Sequence, residues 1–106
     1  MPKRRFSLTP PIEATGSVIS HGAITITNVA TAIPTTPLQE RKAISVRNWS
    51  NNITVYLGGA GVTVANGYPL QPYESLPLEV GQGLFLYGIV ASGTAEVRYM
   101  EIDQGI

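Results

Sequence analysis

The chain has 106 residues, no cysteine and a formal net charge of zero. This length suits one domain, and without cysteine there are no disulfides, no thiolate zinc ligands and no thiol nucleophile. With 43% hydrophobic and only 13% charged residues, the chain can fill one modest core. The low charge is consistent with a surface partly covered by a partner, and equally with a surface rich in Ser, Thr and Asn.

The charges are unevenly distributed along the chain. Residues 1–53 carry six basic and two acidic residues, a net of +4, whereas residues 54–106 carry one basic and five acidic residues, a net of −4. Such asymmetry suits contacts between opposite ends of neighbouring copies. It cancels if the two halves interleave in one sandwich.

Residues 1–22 are predicted to form an extended N-terminal arm. The segment begins with Lys3-Arg4-Arg5 and contains Pro10-Pro11, which exclude a helix or an inner strand, although Val18 and Ile19 suit the start of an edge strand. The basic start lacks the apolar core of a signal peptide, and no apolar run is long enough to span a membrane. We therefore expect neither export nor membrane insertion.

The arm is also the predicted partner-binding segment. It combines a basic cluster with apolar groups that it cannot bury alone, which is typical of segments that become ordered only on binding. Three charges are a narrow footprint for nucleic acid, and no nucleic-acid partner is expected. The residues expected to contact a partner are Lys3, Arg4, Arg5, Phe6, Leu8 and Ile12.

A β-sandwich domain is predicted over residues 23–106. Ala23–Val29 alternates Ile with Thr and predicts a strand, and Gln39–Lys42 predicts a single turn. In Ala43–Leu57, two runs of alternating apolar residues flank the polar Ser50-Asn51-Asn52. This pattern predicts a β-hairpin.

Four further strands are expected after a glycine-rich loop. Pro77 indicates an edge position, because proline cannot donate to a sheet, and Gly88 suggests a bulge. The nearly all-apolar run Leu84–Val90 is typical of a strand covered on both faces. The four strands are Val62–Val64, Ser75–Val80, Leu84–Val90 and Thr94–Ile102.

About seven short strands at roughly 8–12-residue spacing predict an all-β fold. A jelly-roll-like β-sandwich and a small barrel both satisfy this pattern. Val46, Trp49, Val55 and Leu86 are expected to belong to the core or to border it.

No segment predicts a catalytic, metal or cofactor site. The loop Gly58–Gly61 lacks the Lys-Ser/Thr pair and the helix of a phosphate loop, so it predicts a turn. His21 is the only histidine, and a metal site would need carboxylates alone as its other ligands. Glu96 and Glu101 are separated by an odd number of residues, so they should face opposite sides of one strand rather than pair as glycosidase acids.

The aromatic residues are expected mostly in the core, with one or two exposed at an interface or a sugar-stacking surface. They are Trp49, Tyr56, Tyr68, Tyr73, Tyr87 and Tyr99.

The segments Val46–Val80 and Leu84–Ile102 resemble small structural proteins of tailed bacteriophages and prophages. The shared pattern is a strand ending in Asn, then V-Y-L-G-G-x-G-V-T, N-G-Y-P-L, P-x-E-S-L and L-Y-G-x-x-A-S-G-T-A-x-V-R. It covers about Ala43–Ile102 and leaves the arm outside. The resemblance implies a virion component without catalytic residues.

The expected function is that of a non-enzymatic virion protein that decorates or cements the capsid after assembly in the bacterial host cytoplasm. Its partners would be the major capsid protein or other virion proteins, and it would form a symmetric homo-oligomer such as a trimer. One alternative is a head–tail connector, tail or fibre-base component. Another is a carbohydrate-binding β-sandwich that uses exposed Trp49 and Tyr side chains.

Overall fold

A computed structural model describes residues 18–104, which fold into eight β-strands without any helix. The predicted all-β class is confirmed. The strands are β1 Ile19–Ile26, β2 Thr31–Ile33, β3 Arg41–Asn48, β4 Val55–Gly58, β5 Tyr68–Leu70, β6 Ser75–Leu78, β7 Leu86–Ile89 and β8 Ala95–Asp103.

The strands form two four-stranded antiparallel sheets. Sheet A has the order β1-β8-β3-β6, and sheet B has the order β2-β7-β4-β5. β1 pairs with β8, β2 with β7, β3 with β6 and β4 with β5, so the chain resembles one long hairpin whose paired strands alternate between the sheets. This arrangement is a jelly-roll sandwich, the first of the two predicted architectures.

The core fills the space between the sheets, where each strand presents alternate residues. Val46 and Val55 are fully buried and Leu86 packs partly buried against the cluster, as expected. The prediction is wrong for Trp49, which is exposed. The buried hydrophobic cluster consists of Ile26, Ile33, Ile44, Val46, Val55, Leu57, Leu70, Val90, Ala95 and Val97.

The hairpin predicted over Ala43–Leu57 is wrong, because β3 belongs to sheet A and β4 to sheet B. Both strands alternate because each has one buried face, and this pattern does not reveal whether they pair with one another. The buried Asn48 side chain instead donates hydrogen bonds to the carbonyls of Ile53 and Leu70, at 2.7 and 2.9 Å. These bonds hold the segment that crosses from sheet A to sheet B.

Smaller differences concern two glycine-rich regions. Val62–Val64 lies in a turn region and not in a strand. Leu84 and Phe85 are exposed and precede β7, so the apolar run is not covered on both faces. Gly88 pairs in register on both sides without a bulge. A Cβ at this position would lie 2.9 Å from Ile33 Cδ1, so the core occupies the space that a side chain would need.

The edge strands are β1 and β6 in sheet A, and β2 and β5 in sheet B. The edge position predicted from Pro77 is confirmed, and β5 carries Pro69 at the equivalent edge of sheet B. β1 begins at Ile19, so the boundary predicted between the arm and the sandwich, at residues 22 and 23, falls within this strand.

A buried ion pair joins the start of β3 to β8. Arg41 Nη1 donates to Glu101 Oε2 at 2.9 Å, and both side chains are at most 1% exposed. The same carboxylate oxygen accepts a hydrogen bond from the backbone N–H of Leu38 at 3.0 Å. Arg41 Nε and Nη2 donate to three carbonyls around the β6–β7 connection, those of Val80, Gly81 and Leu84.

We expect Glu101→Gln to lower the free energy of unfolding by about 3–5 kcal/mol, because it leaves the buried Arg41 guanidinium without a counter-charge. Urea denaturation measures the change. Glu96→Gln is the matched control, since it breaks an exposed ion pair on the same strand and should cost no more than about 1 kcal/mol. Similar small effects of both substitutions would contradict a structural role for the buried pair.

Leu86→Ala should also destabilise the fold, towards the lower end of about 2–5 kcal/mol, because the side chain packs against the core while only partly buried. The exposed Leu84 provides the control, and its substitution by Ala should change stability by no more than about 0.5 kcal/mol. Thermal or urea unfolding that fails to separate the two variants would place Leu86 outside the core.

Candidate functional site

The outward-facing side of sheet A, here called the outer face, is the candidate functional surface. Strand register places its side chains in four rows across the sheet. Trp49 directly follows β3 and lies beside Glu96. Counted from the end nearest Val18, the four rows are Ile19–Ile102–Ala43, His21–Met100–Ser45–Pro77, Ala23–Arg98–Arg47–Ser75 and Thr25–Glu96.

One end of the outer face is apolar. Ile19 and Ile102 are directly opposite each other, and Met100 lies in the next row on β8. These three side chains and Val18 are exposed, with Ile19 the most open at 65%. Exposed apolar residues that lie together are a feature of interaction surfaces, whereas single scattered ones are ordinary.

The other end is aromatic and cationic. Trp49 is 44% exposed, and its ring meets that of Tyr73 edge to face at a centroid distance of 5.4 Å. The guanidinium carbons of Arg47 and Arg98 lie 5.5 and 5.0 Å from the Trp49 ring centroid, within cation–π range. Arg98 Nε also donates to the Glu96 carboxylate.

Hydrogen bonds of the buried Asn48 hold the backbone around Trp49 and Tyr73 in place. Its side chain bridges the crossing segment and β5, and its backbone carbonyl accepts a 2.8 Å hydrogen bond from Tyr73 N–H. Tyr73 has a φ of 63°, an uncommon backbone conformation for a bulky residue. Because Asn48 points into the core, the next residue, Trp49, is directed outward beside Arg47 and Arg98.

An open depression of about 590 Å³ lies on the outer face. Its polar lining residues are Arg47, Arg98, Glu96, Ser45, Ser75 and His21. Two cations therefore face a single carboxylate in this depression, next to the apolar side chain of Met100. The depression is therefore suited to binding an anionic or polar group.

The residues that the sequence analysis considered for catalysis or metal binding do not come together in the structure. Glu96 and Glu101 face opposite sides of β8, as expected, with Glu96 exposed on the outer face and Glu101 buried. His21 is exposed on β1, and within residues 18–104 no three metal-ligating side chains come together. Lys3, Arg4, Arg5, Phe6, Leu8 and Ile12 lie outside the described residues.

Sequence reasoning missed the pairing of Arg47 with Arg98. These residues are directly opposite on β3 and β8, yet 51 positions apart, and no local pattern links them. The exposure of Trp49 did carry a signal. Ile44 and Val46 face the core, so an odd-numbered residue continuing β3 faces outward.

No helix in residues 18–104 has the length and apolar character needed to cross a membrane. No family model, curated protein or solved structure matches the chain.

Two adjacent substitutions test whether Trp49 belongs to a surface and not to the core. Asn48→Ala should cost about 2–4 kcal/mol, because it leaves two carbonyls and the Ser50 N–H without their partner. Trp49→Ala should cost no more than about 1 kcal/mol, since the ring remains substantially exposed. Chemical denaturation of both variants, followed by circular dichroism, gives the comparison. A larger loss for Trp49→Ala would assign the ring to the core.

Proposed function

We propose that this protein is a non-enzymatic structural component of a bacteriophage virion, which decorates or cements the capsid. The observation that carries the proposal is the composition of the outer face. It combines exposed Trp49, Tyr73 and Met100 with two arginines. Trp, Tyr, Met and Arg are the residues enriched at protein–protein interfaces.

The resemblance to phage structural proteins supplies the virion context of the proposal, and the jelly-roll sandwich is compatible with it. The sandwich offers a rigid sheet on which the interface residues have fixed positions, since their neighbours across the strands are set by register. The depression on that sheet is open to solvent and holds no paired carboxylates. Both features support binding in preference to catalysis.

The position of β1 connects the arm to this surface. The arm joins the sheet at Val18, whose N–H and carbonyl both bond to Asp103 at the end of β8. This is the apolar end of the outer face. We propose that the arm and the outer face contact neighbouring virion subunits together, with Lys3–Arg5 on an acidic surface and the apolar arm residues in a groove.

A carbohydrate-binding module is the second candidate, and Trp49 is the observation that favours it. An exposed indole with a neighbouring tyrosine is a common stacking platform for sugars. Two guanidinium groups already lie close to the indole ring, however, and they reduce its free surface. Binding of neutral glycans that Trp49→Ala abolishes would favour this candidate over the virion role.

The virion proposal is tested by the composition of purified particles. Quantitative mass spectrometry should find the protein at hundreds of copies per particle if it decorates the shell. A dozen copies or fewer would assign it to a connector, tail or fibre base. Its absence from particles would overturn the virion proposal.

A deletion of residues 2–17 tests the arm and leaves β1 intact. We expect the truncated protein to fold, because the described sheets lie within residues 18–104, and to load poorly onto particles. Replacing Lys3, Arg4 and Arg5 by Gln provides a milder variant of the same length. Full occupancy by the truncated protein would show that the arm is not the attachment device.

A further inference from the structure

We propose that Arg47 and Arg98, held on Trp49, form a binding site for the carboxylates of an acidic, partly apolar segment of a partner protein. This inference deepens the proposed function, because it names the chemistry of the partner. The inference depends on the proposed function in one respect, namely that the partner is a protein.

The placement of the two arginines has an electrostatic cost. They are direct cross-strand neighbours on the exposed side of β3 and β8, and like charges in such positions repel. The nearest counter-charge is Glu96, which binds Arg98. Within the described residues, Arg47 has no carboxylate partner, so the pair retains an excess positive charge. A ligand carboxylate would remove the repulsion.

The guanidinium groups are also oriented before any ligand arrives. Trp49 lies within cation–π range of both, and the Glu96 carboxylate accepts its hydrogen bond from Arg98 Nε. The two terminal nitrogens of Arg98, and the whole side chain of Arg47, donate no hydrogen bond to residues 18–104. A guanidinium with its terminal N–H groups available is suited to a bidentate carboxylate contact.

The surroundings favour a protein segment over a free anion or a sugar. Met100 lines the depression next to the arginine row, and Ile19 and Ile102 extend this apolar surface to the end of the sheet. A free anion or a sugar acid would leave these apolar side chains uncovered. A peptide with acidic residues in one half and apolar residues in the other would place its carboxylates on the arginines and its apolar groups on the opposite end of the face.

Trp49 allows the proposal to be measured directly, because it is the only tryptophan of the chain. Its fluorescence should change when a synthetic peptide with a Glu-rich half and a Leu-rich half, here called the Glu-Leu peptide, is titrated into the full-length protein at low salt. The same peptide with Gln in place of Glu should give no change. The signal should weaken between about 0.05 and 0.5 M NaCl, because the contact is electrostatic and exposed.

Three variants separate this site from general charge attraction. The double substitution Arg47→Gln and Arg98→Gln should weaken binding at least about tenfold, as expected for the loss of charge-assisted contacts. Lys42→Gln removes an exposed cation from the same strand and should leave the affinity unchanged. Glu96→Gln should strengthen binding, since it removes a negative charge that lies beside Arg98 and repels the carboxylates of the ligand.

Two competing ligands complete the experiment. Inorganic phosphate and hyaluronan fragments present anions without apolar groups, and each should bind more weakly than the Glu-Leu peptide. Equal or tighter binding of hyaluronan would overturn the protein-segment proposal in favour of an acidic glycan. No response to the Glu-Leu peptide, or an unchanged response in the double arginine variant, would also overturn it. Peptide binding tests this site and particle composition tests the virion role, so either proposal can be contradicted without the other.

Discussion

The buried pair of Arg41 and Glu101 is the interaction on which the geometry of sheet A depends. It joins the first residue of β3 to the neighbouring β8, and its remaining hydrogen bonds reach the chain before β3 and the connection between β6 and β7. A jelly roll brings distant segments together at each end of the sandwich, and their backbone carbonyls need donors when water is excluded. One guanidinium supplies donors to three of them. The ion pair therefore acts less as an attraction between two charges than as a junction for several loops.

Strand β3 contributes Arg41 to the buried ion pair and Arg47 to the candidate site. The two are related because side chains along a strand alternate between the inner and the outer face of the sheet. Arg41 is the first residue of the strand and Asn48 is the last, and the buried side chain of each donates a hydrogen bond to a loop carbonyl. The intervening inward residues belong to the core, and the outward ones include Arg47 of the binding surface. A rigid inward side keeps the outward side chains in fixed register with those of β8. The relative position of Arg47 and Arg98 is thus set by buried residues that no ligand would contact.

The sequence predicts the all-β class and most strands because alternation and turn residues are local signals. It fails at Ala43–Leu57, since a hairpin and a crossing between sheets share the same alternation. What separates the two is the buried amide of Asn48, whose acceptors on Ile53 and Leu70 become visible only in the folded chain. The candidate site was equally hidden, because Arg47 and Arg98 meet through long-range strand pairing. The apolar run at Leu84–Phe85 was misleading because hydrophobicity alone does not indicate which residues a neighbouring strand will cover.

The edges of the two sheets differ in their capacity to accept another strand. β5 and β6 each contain a proline that removes a backbone donor, and β2 has only three residues. β1 is eight residues long, contains no proline and carries an exposed isoleucine at its start. Among the strands within residues 18–104, β1 is therefore the edge best suited to pair with a strand from another copy of the chain. A charged residue or a proline introduced on the open edge of β1 would accordingly oppose aggregation through this strand in concentrated solution.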